Sequence, residues 1–330
     1  MWLMSKVWIA CGMIMMWLFV GCSPQVYHDV PRKLGMPEAE LLVDGRRITI
    51  VGQDHQFVFQ CGTRQAWVDG VQYFLHRPAG THSLSEQDVE LLYHALKAPP
   101  VDASSNILTI LLDAGHGATD TGCRKGSTYE KQITLAIVLE VKRLLEAKGH
   151  YVLLTRADDS TPHSLDERTA MAARQPIDAF VSVHVNSAGN SLAKGVEVYT
   201  LPAPGCDGTA IGSSARAPMV GQSYLVMATR LALAVQKALT AFPGAPADRG
   251  VRHAHFKVLR DTPAPAILVE TGFITNPEDY TVLTSPIKQQ QLARAIAKGI
   301  LDAFAWSVSL KDSANNVSQL VSVTVGAMEI

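Results

Sequence analysis

From Ile107 onward, continuous apolar runs alternate with amphipathic segments, and that alternation constrains the fold more than any other feature. Ile107-Leu108-Thr109-Ile110-Leu111-Leu112 has no polar face, as expected of a strand covered on both sides. A helix follows over about 130–147, with Ile133, Ile137, Val141 and Leu144 at helical spacing and Gly149 as its stop. Tyr151 to Thr155, Ala179 to Val185, Val196 to Thr200 and Ala266 to Val269 read as further strands. Ser164-Leu165-Asp166-Glu167 opens a helix with a capping box, and a long helix runs near 222–241. Ser285-Pro286 starts a last one bearing Leu292, Ile296, Ile300 and Phe304. This order implies an α/β fold: a mostly parallel sheet flanked by helices on both faces. Ligands of such sheets bind beyond the carboxyl ends of the strands.

Those strand ends hold polar clusters. The first strand ends in Asp113-Ala114-Gly115-His116-Gly117, the third in Ser182-Val183-His184-Val185-Asn186-Ser187, and the last in Val269-Glu270-Thr271-Gly272. Glu130 stands at the start of the first helix, after the loop that follows His116. Two histidines and one glutamate with an open fourth position form a recurrent catalytic zinc set. A further glutamate outside the ligand set can then act as general base. Spacing does not decide the matter, because 68 residues separate the histidines. A strand-end histidine is more often structural, and Glu130 alone is explained as a favourable charge near a helix N-terminus.

With 47% apolar and 18% charged residues, the 330-residue chain can bury a substantial core. Its 29 basic and 30 acidic residues leave no basic excess for nucleic acid. The mean hydropathy of +0.11 is high for a soluble protein, and much of it comes from the start. Residues 1–21 carry Lys6 as their one charge and then an apolar run too short for a typical span, which reads as a signal peptide. Phe19-Val20-Gly21-Cys22-Ser23 resembles a lipobox, in which Cys22 is acylated; Phe19 departs from the usual Leu or Val. An uncleaved membrane anchor is the alternative. Either way the remainder is exported and tethered.

Residues 22–36 read as a tether. Residues 37–97 read as a small module of hairpins around Asp44-Gly45 and Asp69-Gly70, followed by a helix with Ser85 as N-cap. Its histidines His55, His76, His82 and His94 lack ligand spacing and are read as surface or structural. Residues 98–106 are a linker, 107–305 the α/β domain, and 306–330 a tail whose Val321 to Val325 is either an added strand or a disordered end. Beyond Cys22 the cysteines are Cys61, Cys123 and Cys206, an odd number without a CxxC pair. A Cys123–Cys206 bridge is left open.

The words around the polar clusters carry a resemblance. Asp113-Ala114-Gly115-His116-Gly117, Glu130-Lys131, Ser182 to Ser187, Gly195-Val196-Glu197-Val198-Tyr199 and Val269 to Asn276 occur in order. Leu165-Asp166-Glu167-Arg168, Arg249-Gly250-Val251-Arg252 and Val258-Leu259-Arg260 join them. Together they resemble the zinc-dependent N-acetylmuramoyl-L-alanine amidases, the family typified by the cell-separation amidases, over about 107–305. The resemblance implies a six-stranded mixed sheet and one Zn2+ per chain held by His116, Glu130 and His184, with Glu270 as the catalytic carboxylate. Asn186 and Arg168 are candidates for substrate positioning or for support of the ligands, or are structural. The implied substrate is peptidoglycan, cut between the lactyl group of N-acetylmuramic acid and L-alanine. Glu270 takes a proton from water, which attacks the carbonyl, and the proton passes to the L-alanine nitrogen.

Taken with the lipobox-like leader, the expectation is an exported, periplasmic enzyme, anchored through Cys22 to a bacterial membrane, the outer one by expectation, with an activator protein as a candidate partner. Some relatives insert a helix after the Gly-Val-Glu-Val strand that plugs the zinc. Leu201 to Gly221 is short here and holds Asp207 as its one acid, so an open cleft is expected. A zinc peptidase or carboxypeptidase, and a non-catalytic wall-binding lipoprotein, are the competing readings. A serine-nucleophile reading of Ser191-Leu192-Ala193-Lys194 lacks the Lys-Thr-Gly its mechanism needs, and a phosphate loop at Gly117 to Gly122 has Cys123 where Lys is required.

Overall fold

The computed structural model describes residues 29–80, 84–97, 107–160, 163–209 and 218–325, with side chains of the last helix to residue 305. The signal segment 1–21, Cys22 and the linker 98–106 lie outside the described residues. Helix α1 (Asp29–Lys33) falls within the stretch read as a tether, where Val30 and the following Leu34 are buried.

Strands β1 (Glu40–Asp44), β2 (Arg47–Val51), β3 (Gln56–Gln60), β4 (Gln65–Val68) and β5 (Val71–Phe74) form an antiparallel meander. Asp69 and Gly70 both take positive φ, 51° and 83°, as a two-residue hairpin turn requires. The first hairpin turns one residue later than its Asp-Gly pair suggests, with Asp44 paired to Arg47. Register decides this, because it points Ile48 and Ile50 into the core, where both are fully buried. Helix α2 (Glu86–Lys97) follows, its Ser85 Oγ accepting from the Asp88 amide at 3.1 Å.

The α/β part then runs β6 (Thr109–Ala114), the small hairpin β7 (Arg124–Lys125) and β8 (Thr128–Tyr129), α3 (Glu130–Glu146), β9 (Tyr151–Leu154) and α4 (Leu165–Ala173). It continues with β10 (Ala179–Asn186), β11 (Val196–Thr200), α5 (Leu225–Thr240), β12 (Asp248–His253) and α6 (Lys257–Arg260). It ends with β13 (Ala266–Phe273), α7 (Pro277–Thr284) and α8 (Pro286–Val325). Val321 to Val325, read as a strand or a disordered end, continues the last helix instead. Among the described residues no helix is long and apolar enough to cross a membrane.

Six strands order as β12-β11-β13-β10-β6-β9, parallel throughout except between β11 and β13. This is the six-stranded mostly parallel sheet that was expected. Its sixth strand, Asp248–His253, gave no hydrophobic signal, since Val251 is its one aliphatic residue. Alternation along the strands sorts the faces. Ile110, Leu112, Val181, Val183, Val185, Ile267 and Val269 point to one side, under α3, α5 and α8. Leu111, Phe180 and Leu268 point to the other, where the short helices α4 and α6 supply Ala172, Val258 and Leu259. The second side is therefore thinly covered.

The meander is not a separate body. β5 pairs in parallel with β12, so the meander and the six strands join in one eleven-stranded sheet, and only the small β7–β8 hairpin stays outside it. Gly250, at φ 84°, permits the approach, because a Cβ there would lie 2.7 Å from the Gln72 carbonyl oxygen. The Gln72 amide donates to Asp248 Oδ2 at 3.0 Å. Beside it His76 stacks on His253, ring centroids 4.0 Å apart and planes 19° apart. Asp88 accepts from the His76 amide at 2.8 Å and contacts its Nδ1 at 2.8 Å, so His76 is structural, as expected.

Burial holds the His253 imidazole well below its ordinary 6.5, and the adjacent His76 adds to this. Unfolded chains thus bind a proton below that value which the native seam refuses. Stability is present above the ordinary imidazole range and declines as pH falls beneath it, by up to about 1.4 kcal/mol per pH unit for each proton. Asp88, whose carboxyl is held below 3.8 by the His76 bond against its burial, adds a loss at still lower pH. Urea midpoints taken from pH 7.5 down to 5 are expected to fall, and His253→Gln is expected to flatten that slope.

Candidate metal centre and cleft

Three donors converge where β6, α3 and β10 meet. His116 Nε2 lies 3.2 Å from Glu130 Oε1, and His184 Nδ1 lies 2.9 Å from the same oxygen. The donor atoms of His116, Glu130 and His184 all fall within 4.8 Å of one another, a grouping that can hold a metal ion. Glu130 is 3% exposed and fixed by two backbone amides, Val185 N on Oε1 and Cys123 N on Oε2, each at 2.9 Å. The two imidazoles hold its carboxyl far below the ordinary carboxylate range despite burial. It is an anion already in position.

The loop carrying His116 is strained and braced. His116 and Ala118 have φ of 61° and 50°, a left-handed region that side chains rarely adopt. Such conformations cost about 1–3 kcal/mol and persist only where neighbours dictate them. Two buried arginines do so. Arg156 donates to the carbonyls of Ala114 and Gly115, both at 2.9 Å, and Arg168 to those of Ala114 at 2.8 Å and His116 at 2.6 Å. Gly122, at φ 63°, leaves room for the centre: a Cβ there would lie 2.5 Å from Glu130 Oε2 and 2.6 Å from the His116 ring.

Below the loop Asp113 is 1% exposed and binds Arg168, Thr155 Oγ1 at 2.6 Å and Ser182 Oγ at 2.6 Å. Arg168 foremost, then the two hydroxyls, keeps its carboxyl below 3.8 against burial. Arg168 thus sits beneath the three donors as a brace, with its guanidinium engaged by protein groups.

Glu270 lies beside His184 on the neighbouring strand β13 and opposite Glu197 on β11. Its Oε2 is buried without a hydrogen-bond partner. Burial, then the charges of Glu130 and Glu197, push its carboxyl well above 4.5. Asn186 does not face an empty space: its Nδ2 donates to Glu197 Oε1 at 2.8 Å. Glu197, 2% exposed, also accepts from Tyr199 OH at 2.9 Å and from Arg249 and Arg252 at 2.9 and 3.0 Å.

Sequence reasoning passed over Glu197 and Asp120. Asp120 Oδ2 lies 2.8 Å from His116 Nδ1, so Nδ1 donates to that carboxylate while Nε2 is the nitrogen turned toward the centre. Its four-residue spacing from His116 was the available signal.

A cleft of about 650 Å3 opens over this centre, with His116, His184, Glu270 and Arg168 in its lining. No described residue of Leu201 to Gly221 lines it, and residues 210–217 of that segment lie outside the described residues. Cys123 and Cys206 are both free. The Cys123 thiol donates to the Val185 carbonyl at 3.1 Å and is pushed far up by burial, so it is no nucleophile at neutral pH.

A protein-family model described as N-acetylmuramoyl-L-alanine amidase matches residues 110–302. The chain is 29% identical over 286 residues to a probable cell wall amidase, LytH, of Staphylococcus epidermidis, covering 86% of this chain and 80% of that protein. It is 33% identical over 226 residues to the sporulation-specific N-acetylmuramoyl-L-alanine amidase of Bacillus subtilis, covering 68% of this chain and 76% of the relative. Among solved structures, the N-acetylmuramoyl-L-alanine amidase AmiC2 of Nostoc punctiforme is 34% identical with a TM-score of 0.50, covering 59% of this chain and 96% of that one.

Arg168→Met strands Asp113 as a buried charge and is expected to cost about 3–5 kcal/mol in urea unfolding. Adding Asp113→Asn is expected to recover part of that loss, giving a positive coupling in the double-mutant cycle.

Proposed function

The chain belongs to the N-acetylmuramoyl-L-alanine amidase family and acts on peptidoglycan, and we propose that His116, Glu130 and His184 bind one zinc ion while Glu270 is its general base. The observation that carries this reading is the convergence of the three donors beside the unpartnered Oε2 of Glu270, at the floor of one cleft.

The donor set suits zinc: two imidazoles and a preformed carboxylate, with His116 and His184 in the lining of the cleft. Bound there, zinc supplies Lewis acidity, which acidifies water and polarises the carbonyl of the scissile amide. The rest is the work of this chain's residues. Asp120 keeps His116 in the tautomer that presents Nε2. The Val185 and Cys123 amides hold the Glu130 carboxylate oriented. Glu270, with no partner on Oε2, accepts the proton of the attacking water and returns it to the departing L-alanine nitrogen. Arg249 and Arg252 neutralise Glu197, whose Oε1 fixes Asn186 at the same rim. The products are the glycan and a free stem peptide.

Export and anchoring through an acylated Cys22 to the outer membrane complete the proposal, supported by the apolar leader and its lipobox-like end. The linkage places the enzyme in the periplasm at its substrate, with an activator protein as the candidate control. A peptidase would release different fragments and a wall-binding scaffold none, so mass analysis of digested peptidoglycan separates the three.

Purified protein is expected to release stem peptides with free L-alanine amines, to lose this on chelation and to regain it with zinc. Glu270→Gln is expected to lower kcat about 10²–10⁴-fold with zinc still bound. Stem-peptide release undiminished in that variant defeats the base assignment. Asp120→Asn is expected to weaken zinc affinity about 10–100-fold, measured by competition with a chromogenic chelator.

A further inference from the structure

The cleft has a wall that the chemistry above does not use. The start of α4 contributes Leu165, with His163 and Ser164 just before it, and α6 contributes Lys257 and Val258, with Phe256 just before it. Two fixed cations line the cleft, and they differ in availability. Arg168 is 4% exposed and its guanidinium is bound to Asp113 and to the carbonyls of Ala114, His116 and His163. Lys257 is partly exposed, with Nζ 2.6 Å from Asp166 Oδ1 and 2.6 Å from Asp261 Oδ2. Asp261 is shared with Arg260, and the Asp166 side chain is 81% exposed. Ion pairs that open to water contribute little, because solvent competes for both charges. The outer partner of Lys257 can therefore be exchanged for an incoming carboxylate at small cost.

The two sides of the scissile amide differ in charge. The glycan side offers hydroxyls and amides, whereas the peptide side carries free carboxylates. Among the lining residues, Lys257 is the fixed cation left to recognise that difference, and the apolar Leu165, Phe256 and Val258 beside it suit the aliphatic parts of a peptide. We propose that Lys257 is the specificity contact for a carboxylate of the stem peptide, taking it in place of Asp166 and orienting the peptide along the wall formed by α4 and α6. This rests on the amidase reading of the same cleft.

The test compares a muramyl tripeptide bearing free carboxylates with its carboxamide counterpart, on the zinc-loaded full chain. The free acid is expected to show a KM about 5–20-fold lower, as a charge-assisted contact to a partly screened ammonium would give. Lys257→Met is expected to raise the KM of the acid to that of the amide, with kcat changed by less than about twofold. Lys257→Arg is expected to retain most of the preference. An acid-to-amide ratio that survives Lys257→Met overturns the proposal, as does a loss confined to kcat. Calorimetry of both ligands on Glu270→Gln and on Glu270→Gln/Lys257→Met reads the same preference without cleavage. Equal binding of acid and amide to Glu270→Gln sinks the contact. Preserved preference there, with no cleavage by the wild type, sinks the amidase reading and leaves the Lys257 contact standing.

Discussion

The buried carboxylate of Asp113 is the interaction on which the centre rests. It sits at the end of β6 and is met by Thr155 after β9, Ser182 on β10 and Arg168 on α4. Four segments are thereby fixed to one point. A buried charge is tolerated only when its lone pairs are filled, and here three side chains fill them. The guanidinium that neutralises Asp113 then continues upward to the carbonyls of Ala114 and His116. The same contact that satisfies a core anion therefore dictates the strained backbone of the histidine above it.

Unequal cover of the two sheet faces makes the cleft. Long helices close one side, and the β-branched residues of the parallel strands pack beneath them. On the other side α4 and α6 have 9 and 4 residues, too little to cover the strand ends. Strand period then does the sorting: Ser182, His184 and Asn186 share the face of Phe180, and Glu270 shares that of Leu268. Polar residues placed two apart thus emerge together on the thinly covered side, and Glu270 is left among Glu130 and Glu197 without a partner for one oxygen.

Much of this was legible before any coordinates. The apolar runs revealed five strands of the six-stranded sheet and the helices between them, and the histidine and glutamate words marked the donors now found within 4.8 Å of one another. Asp248–His253 was not legible, because a strand of Asp, Arg, Gly, Val, Arg and His is defined by its neighbours β5 and β11 and not by its own pattern. Asp120 and Glu197 escaped for a related reason. A single acid in a loop or strand has no signal until the atom it faces is known, here His116 Nδ1 and the guanidinium groups of Arg249 and Arg252. Arg168 was open between substrate positioning, support of the ligands and a structural role, because only its partners tell these apart, and here its donors are occupied by Asp113 and by the carbonyls of Ala114 and His116.

The continuous sheet also changes what the N-terminal meander is for. A parallel sheet that ended at β12 would expose a row of unpaired amides and carbonyls, a template for adhesion to other chains. β5 meets that row at Val251, opposite Tyr73, and the stacked imidazoles and Gly250 hold it there. The meander is thus a guard on an otherwise sticky border, and the border has moved outward to β1, a short strand bearing Glu40 and Asp44 at its ends. A module with this duty cannot be exchanged like a cassette, since any replacement must first present a strand that fits the glycine-notched rim of β12.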